Sequence, residues 1–161
     1  MTALTLGFIP LTDCAPLVVA REMGFFADEG LAVTLSREAS WATIRDKVTF
    51  GALDGAHMLG PIPLAATLAA ARESAAMIAP MALNRNGAGI TASVGLAAEI
   101  AASSLAGAVA ARRQDGRPRL TFAVVFPYAI HNYALRAWLL AAEVDPNLLF
   151  DKNLHQPFVD E

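Results

Sequence analysis

The sequence contains few of the side chains on which enzyme chemistry usually depends, and none has the spacing of a familiar catalytic motif. Its single cysteine, Cys14, excludes an intrachain disulfide and, with three histidines, leaves too few ligands for a Cys/His metal cluster. A nucleophilic site would need Cys14 beside His57 or His131, and no nucleophile-elbow pattern is present. Glycine-rich nucleotide, phosphate-loop and zinc-protease motifs are also missing. The sequence therefore predicts no catalytic residue, no metal and no cofactor, and Cys14 is interpreted as a small buried hydrophobic residue.

Ser40 and Trp41 have the properties of an anion-binding site. They stand at the start of a predicted helix, where unpaired backbone N–H groups and the positive end of the helix dipole favour an anion. Ser40 adds a hydroxyl, and the flat indole of Trp41 adds an N–H that donates but cannot accept. A packing role in the core, or in a lid, is an equally good interpretation of Trp41 from sequence alone.

His131 is a second candidate, in the first turn of a later predicted helix that follows a hydrophobic strand. A neutral imidazole donates one hydrogen bond there, and a protonated imidazole adds a charge. The alternative is that His131 satisfies local backbone groups, and Asn132 and Tyr133 fit either role. His57 lies in an apolar segment and is interpreted as a buried, hydrogen-bonded structural residue.

Strands and helices alternate along the chain, and this order decides where the candidate residues lie. Hydrophobic runs predict strands at residues 4–9, 31–35, 76–83, 90–93 and 120–125, and a short strand or strand end at 54–59. Helical periodicity predicts helices at residues 16–23, 40–50, 61–72, 96–111 and 128–143, with a short helical turn at 25–29. Repeated strand–helix units indicate an α/β fold with a mainly parallel sheet. Ligands bind beyond the carboxyl ends of such strands, which selects the segments 10–15, 38–41 and 126–131.

Composition and charge narrow the function classes. Hydrophobic residues make up 55% of the 161 residues and the mean hydropathy is +0.44, but no apolar run approaches the ~20 residues of a membrane-spanning helix. The net charge is −3, with basic and acidic residues spread along the chain, so we expect no direct nucleic-acid binding. The first residues lack the features of a secretory signal, and we expect a cytoplasmic protein, or a periplasmic one if a leader has been lost.

Several segments, in this order, resemble the nitrate and bicarbonate substrate-binding proteins of ABC transporters. They are GFIPLTDCAPLVVAREMGFFADEGL at 7–31, EASWATIRDKV at 38–48, Gly51 with the stretch at 53–64, LNRNGAGIT at 83–91 and FAVVFPYAIHNYALRAWL at 122–139. The resemblance covers residues 4–147, nearly the whole chain, and the combined pattern is specific. The same family includes a cytoplasmic nitrate sensor that acts with an RNA-binding antiterminator.

The resemblance implies a periplasmic-binding-protein-like fold of type II, in which a small oxyanion is held in a cleft between two α/β lobes. Residues 1–90 would form the first lobe, 91–147 the start of an incomplete second lobe, and 148–161 a divergent tail. Trp41, which Ser40 precedes, and His131 match the family's cleft tryptophan and histidine. A side-chain amide of the family has no counterpart here, which leaves Thr91 or Ser93 as substitutes.

The resemblance implies binding of nitrate or nitrite, with bicarbonate as a third candidate, and no enzymatic activity. The protein would act as a nitrate sensor with an antiterminator partner, or as the binding component of an ABC transporter that docks on its permease. Family members run to more than twice 161 residues, so the chain resembles a truncated form, and we expect it to bind nitrate weakly. Two alternatives stay open, a metabolic enzyme of similar lobe architecture, as in thiamine-pyrimidine synthesis, and a non-functional remnant.

Overall fold

The computed structural model describes residues 1–68, 76–85 and 87–146. These residues fall into two compact units. The first comprises Met1–Gly87 together with Tyr128–Ile130, and the second comprises Ala88–Pro127 and the described residues 131–146. Each unit has its own secondary structure and its own buried side chains.

A three-stranded parallel sheet forms the centre of the first unit. Its strands, in the spatial order β2-β1-β3, are β1 (Thr2–Phe8), β2 (Leu31–Arg37) and β3 (Gly55–Ala56). β1 pairs with β2 along its whole length and with β3 only at Leu6 and Gly7. The parallel pairing confirms the predicted α/β class, although β3 is much shorter than the strand predicted at 54–59.

Helices connect these strands, and local sequence signals set their ends. The helices of the first unit are α1 (Ala15–Glu22), α2 (Phe25–Asp28), α3 (Trp41–Thr49) and α4 (Pro61–Thr67). Gly24 separates α1 from α2 with a φ of 80°, a left-handed conformation that costs glycine little. Ser40 is the N-cap of α3, which confirms the predicted helix start. The helix predicted at 61–72 is confirmed as far as Thr67, and residues 69–72 lie outside the described ranges.

Three helices provide the regular structure of the second unit in its described part. They are α5 (Val94–Ala102), α6 (Leu105–Gln114) and α7 (Ile130–Ala141). Each contributes to one hydrophobic core, whose buried members are Leu96, Leu105, Leu120, Leu135, Leu139 and Val144. No single helix in the described ranges has the length and apolar character to cross a membrane, and α5 and α6 pass that test only as a pair bent by 103°.

The single helix predicted at 96–111 is wrong, because the chain breaks at Ser103 and Ser104. Ser103 leaves the helical region with a φ of −141° and a ψ of −81°, and Ser104 takes the extended conformation of an N-cap. The Oγ atom of Ser104 accepts a hydrogen bond from the backbone N–H of Gly107 at 3.0 Å. Serine side chains compete with helical backbone hydrogen bonds in this way, and the alanine-rich sequence on both sides concealed the break.

The strands predicted at 76–83, 90–93 and 120–125 are also wrong, since the described residues of these segments join no sheet. The alternation at 120–125 does correctly predict which side chains are buried: Leu120 is buried, Phe122 is half-buried and Thr121, between them, is exposed. A strand needs in addition a neighbouring segment that satisfies its backbone N–H and C=O groups. In the described part of the chain no segment pairs with 120–125 in this way.

A buried acid shapes the connection from β2 to α3. The Glu38 side chain is 2% exposed, and its two carboxylate oxygens accept hydrogen bonds from Ser36 Oγ and Lys47 Nζ, both at 2.7 Å. Burial raises the pKa of Glu38, but the hydrogen bonds from Lys47 and Ser36, with the charge of Lys47, outweigh burial and lower the pKa overall. The ion pair therefore ties the segment after β2 to the body of α3.

Lys47→Met is expected to destabilise the protein by about 2 kcal/mol at neutral pH, because it leaves a buried carboxylate without its cation. This magnitude is at the low end for a buried pair because the Lys47 side chain is 44% exposed. A lowered folded-state pKa stabilises the fold above the unfolded pKa of Glu38, and this contribution is lost as the pH falls through the folded pKa. Urea unfolding of the variant and the wild type should therefore differ less in acid than at neutral pH.

The control for this prediction is Arg45→Met, which breaks a more exposed ion pair with Asp46 on the same helix. It is expected to cost about 0.5 kcal/mol or less. Equal losses for the two variants at neutral pH would contradict the role given to Glu38.

Candidate functional site

The carboxyl edge of the first unit's sheet brings three chain segments together. Because the strands are parallel, the segments that follow β1, β2 and β3 all begin at this edge. The central strand binds both neighbours there, since the carbonyl of Phe8 accepts from the N–H of Glu38 and the carbonyl of Gly7 accepts from the N–H of His57, each at 2.9 Å. These two bonds fix where the chain leaves the sheet towards α3 and towards α4.

Ser40 and Trp41 form the start of α3. Ser40 has an extended backbone, and its Oγ atom accepts from the N–H of Thr43 at 3.1 Å and lies 3.0 Å from Thr43 Oγ1. The helix provides no acceptor for the first backbone N–H groups, those of Trp41 and Ala42. The start of α3 therefore presents donors and positive partial charge at the sheet edge.

The Trp41 side chain packs inside the first unit while lying at this edge. The residue is 8% exposed, and Ile44, one turn later on α3, is fully buried. The ring centroids of Trp41 and His57 are 5.2 Å apart with an angle of 66° between the planes, an edge-to-face arrangement. The burial of Trp41 agrees with its interpretation as a core residue, and ligand contact stays a prediction.

His57 and Asp13 form a second layer beside the indole. His57 is 3% exposed, and its Nε2 atom lies 3.1 Å from Oδ2 of Asp13, which belongs to a short 3-10 turn (Thr12–Cys14) between β1 and α1. The other ring nitrogen, Nδ1, and the other oxygen of Asp13, Oδ1, are buried and have no hydrogen-bond partner among the described residues. Each side chain of the pair thus has one further polar atom, Oδ1 of Asp13 and Nδ1 of His57, that could form a hydrogen bond.

Sequence reasoning gave His57 a structural role only and did not connect it or Asp13 with Trp41. The available signal was position, since Asp13 falls in the segment 10–15 selected as following a strand. The prediction of a short strand or strand end at 54–59 did not say where the strand stops; β3 ends at Ala56 and leaves His57 as the first residue beyond the edge. The hydrophobic pattern could not reveal that end, because the residues around it are apolar too.

Metal ligation has no support in the described part of the chain. No group of three or more His, Cys, Asp or Glu side chains there is arranged to hold an ion. Cys14 is buried, in agreement with its interpretation as a small hydrophobic residue.

In the second unit, His131 lies in the first turn of α7 and is half-buried. Its Nδ1 atom is buried and has no hydrogen-bond partner among the described residues. The next residue, Asn132, donates from Nδ2 to the carbonyl oxygen of Pro127 at 2.8 Å, which closes the turn before α7. Asn132 thus satisfies local backbone, the role that was the alternative interpretation of His131.

Thr91 and Ser93 line a cavity of about 260 Å³ in the second unit. Both residues are exposed, and the Oγ atom of Ser93 accepts from the N–H of Leu96 at 3.2 Å as the N-cap of α5. The remaining lining residues are Ile90, Ala92, Arg112, Arg119, Leu120, Thr121, Phe122 and Trp138. His131 is not one of them, so this cavity contains two of the three predicted site residues of the second unit.

Arg112 has its charge neutralised within this unit. Its Nε and Nη2 atoms donate to the two carboxylate oxygens of Glu99 at 2.9 and 3.0 Å, and Arg117 donates to the same carboxylate at 3.0 Å. The hydrogen bond from Arg112 lowers the pKa of Glu99, burial opposes it, and Arg117 reinforces it. The cavity's cation is thus Arg119, for which the described residues provide no ion pair.

The chain was found to resemble known proteins along almost its whole length. A family model described as the NMT1-like family matches residues 1–155. The chain belongs to the NMT1-like family. This membership and the relatives below confirm the resemblance to nitrate and bicarbonate transport binding proteins.

Three relatives of this NMT1-like chain illustrate the match. It is 41% identical to the nitrate import ATP-binding protein NrtC of Synechocystis sp., over 89% of this chain and 22% of the relative. It is 40% identical to the bicarbonate transport ATP-binding protein CmpC of the same organism, over 94% and 22%. It is 38% identical to the nitrate/nitrite binding protein NrtA of Synechococcus elongatus, over 89% and 34%. The chain therefore spans about a fifth to a third of the length of these relatives.

Ser40→Ala in this NMT1-like chain is expected to cost about 1 kcal/mol of stability, because it removes the acceptor that caps the N–H of Thr43. Urea unfolding measures the loss. Ser40→Asn is the matched control, since asparagine caps helices as well as serine does and should keep the wild-type stability. An equal loss in both variants would contradict the capping role.

Proposed function

We propose that the chain binds a small oxyanion, nitrate or nitrite, as the binding part of a nitrate transport or sensing system. Two observations combined carry the proposal. Relatives at 34–38% identity are named nitrate/nitrite binding proteins, and Trp41 lies at a helix start on the carboxyl edge of a parallel sheet, where α/β proteins bind ligands.

The start of α3 fits the chemistry of nitrate, which is flat, carries one negative charge and only accepts hydrogen bonds. The backbone N–H groups of Trp41 and Ala42 and the indole N–H are all donors. Ser40 and Thr43 share one hydrogen bond between their hydroxyls, so one of the two hydroxyl protons remains to be donated. The nearest acid in sequence, Glu38, is neutralised by Lys47 and does not oppose an anion.

We propose further that the second unit contributes donors to the same anion, in the inter-lobe cleft of a type II binding protein that closes by a hinge motion. His131 has the better support among its candidates, because its buried Nδ1 atom has no partner in the described part of the chain. The hydroxyls of Thr91 and Ser93 are the other candidates, and they line a cavity that His131 does not line.

The proposal gives the chain a binding role and no catalysis. Its relatives carry the names of binding and transport proteins, and Cys14 is 6% exposed, so no observation favours a thiol-dependent enzyme. Docking on a transporter permease, or on an antiterminator in a cytoplasmic sensor, would be a property of the whole protein, since the relatives are about three to four times as long as this chain.

The test is a nitrate titration followed by the indole N–H signals in proton–nitrogen correlation spectra. The chain has two tryptophans, and Trp41→Phe identifies the signal of Trp41. We expect nitrate, and not chloride at equal ionic strength, to shift that signal in a saturable way. We expect binding to be weak, with a Kd of order ~1 mM or about −4 kcal/mol, because the chain spans only about a third of the length of a nitrate/nitrite binding relative.

Trp138→Phe is the matched control for this titration, because it removes the other indole, which lines the second unit's cavity. With the backbone N–H signals of Ala42 and Thr43 as the readout, nitrate binding should survive Trp138→Phe and weaken at least about tenfold with Trp41→Phe. The reverse pattern would place the anion in that cavity and contradict the role of Trp41, and no nitrate-specific shift at all would contradict the proposed function.

Ser40→Asp separates the structural role of Ser40 from its role in binding. Aspartate caps a helix about as well as serine, so urea unfolding should give a stability within about 0.5 kcal/mol of the wild type. Its carboxylate stands beside the proposed anion, and we expect nitrate affinity to fall at least about tenfold through charge repulsion. Ser40→Asn, which caps without charge, should keep most of the affinity, and equal affinities for the two variants would argue against an anion at this position.

A further inference from the structure

The buried His57 contacts Trp41 and pairs with the half-buried Asp13, but neither residue has a part in the proposed contacts with the anion. Each of the three residues comes from a different connection: Asp13 follows β1, Trp41 follows β2 and His57 follows β3. His57 is the middle member, since its ring contacts the indole and its Nε2 atom lies 3.1 Å from the carboxylate of Asp13.

The position of the indole depends on what packs against it. A tryptophan side chain rotates about two torsions, and Trp41 is the first residue of α3, where no preceding helical turn supports it. The edge-to-face contact with His57 supplies a flat neighbour at a defined angle of 66°. A ligand that accepts a hydrogen bond from the indole N–H needs the indole ring to be held in a fixed orientation.

His57 is held in turn by contacts on two sides. Its backbone N–H donates to the carbonyl of Gly7 at 2.9 Å, which anchors the residue to the central strand. Its Nε2 atom is directed at Asp13, whose side chain is 32% exposed while that of His57 is 4% exposed. A flip of the ring would put Cε1 in the place of Nε2 and lose this contact, so the carboxylate favours one orientation of the imidazole.

We infer that Asp13 and His57 are positioning residues for Trp41: the carboxylate orients the imidazole, and the imidazole orients the indole that contacts the oxyanion. This inference rests on the proposed function for the identity of the ligand. The arrangement of the three side chains can be tested without any ligand.

The experiment uses the full chain and the indole N–H signal of Trp41, first without nitrate and then during titration. His57→Ala removes the ring, and Asp13→Ala removes the carboxylate. Asp13→Asn keeps an oxygen acceptor without the charge and serves as the conservative rescue. Asp46→Asn, which changes a half-exposed carboxylate on α3 away from this cluster, is the control.

We expect His57→Ala and Asp13→Ala to move and broaden the Trp41 signal in the free chain and to weaken nitrate binding about tenfold. Asp13→Asn should restore both towards the wild type, and Asp46→Asn should change neither. A packing role alone predicts that the two alanine variants lose stability while the folded protein keeps the wild-type Trp41 signal and nitrate affinity. Folded His57→Ala and Asp13→Ala variants with the wild-type signal and affinities within about twofold would overturn the inference.

Two further measurements test the positioning role if His57→Ala does not fold or if the wild type does not bind nitrate. If His57→Ala fails to fold, nuclear Overhauser contacts between the imidazole and indole protons of the wild type test the pairing directly, and their absence would overturn it. If the wild type binds no nitrate, the proposed function fails. Displacement of the Trp41 signal in the free Asp13→Ala chain, with rescue by Asp13→Asn, would then still support the positioning role.

Discussion

The first unit depends on the pairing of one central strand on both of its sides. β1 hydrogen-bonds to β2 and to β3 in parallel, and its last carbonyls, those of Gly7 and Phe8, bind the first residues beyond the neighbouring strands. Parallel strands end at the same edge, so this pairing alone brings three sequence-distant connections together. Without this strand pairing, nothing would bring Asp13, Trp41 and His57 to the same edge of the sheet.

The close approach at this edge explains why a glycine occupies position 7. A Cβ atom there would lie 2.6 Å from Leu53 Cδ1 and 3.4 Å from the Cβ atom of Ala56, and Leu53 is buried and has little room to move. Gly7 therefore lets the third strand and the residues before it pack against the central strand. The carbonyl oxygen of Gly7 also accepts a hydrogen bond from the backbone N–H of His57.

Charge is arranged around the edge in a way that suits an anion. Glu38, the acid nearest to the start of α3 in sequence, is paired with Lys47. With that acid paired, the helix dipole and the first N–H groups of α3 favour an anion at this end of the helix. The buried ion pair of Glu38 thus has an electrostatic consequence beyond its contribution to stability.

Local sequence determined much of this protein. The helix start at Ser40, the end of α1 at Gly24 and the α/β order of the first unit follow from interactions within a few residues, and the family membership follows from combined motifs. Tertiary structure decided the rest. It left 120–125 without a paired strand among the described residues, and placed His57 between Asp13 and Trp41. The physical reason is the sequence separation over which each interaction acts. Helix caps and hydrophobic periodicity depend on residues within one or two helical turns. The pairing of strands, or a cluster of side chains from different connections, depends on which distant segment becomes the neighbour.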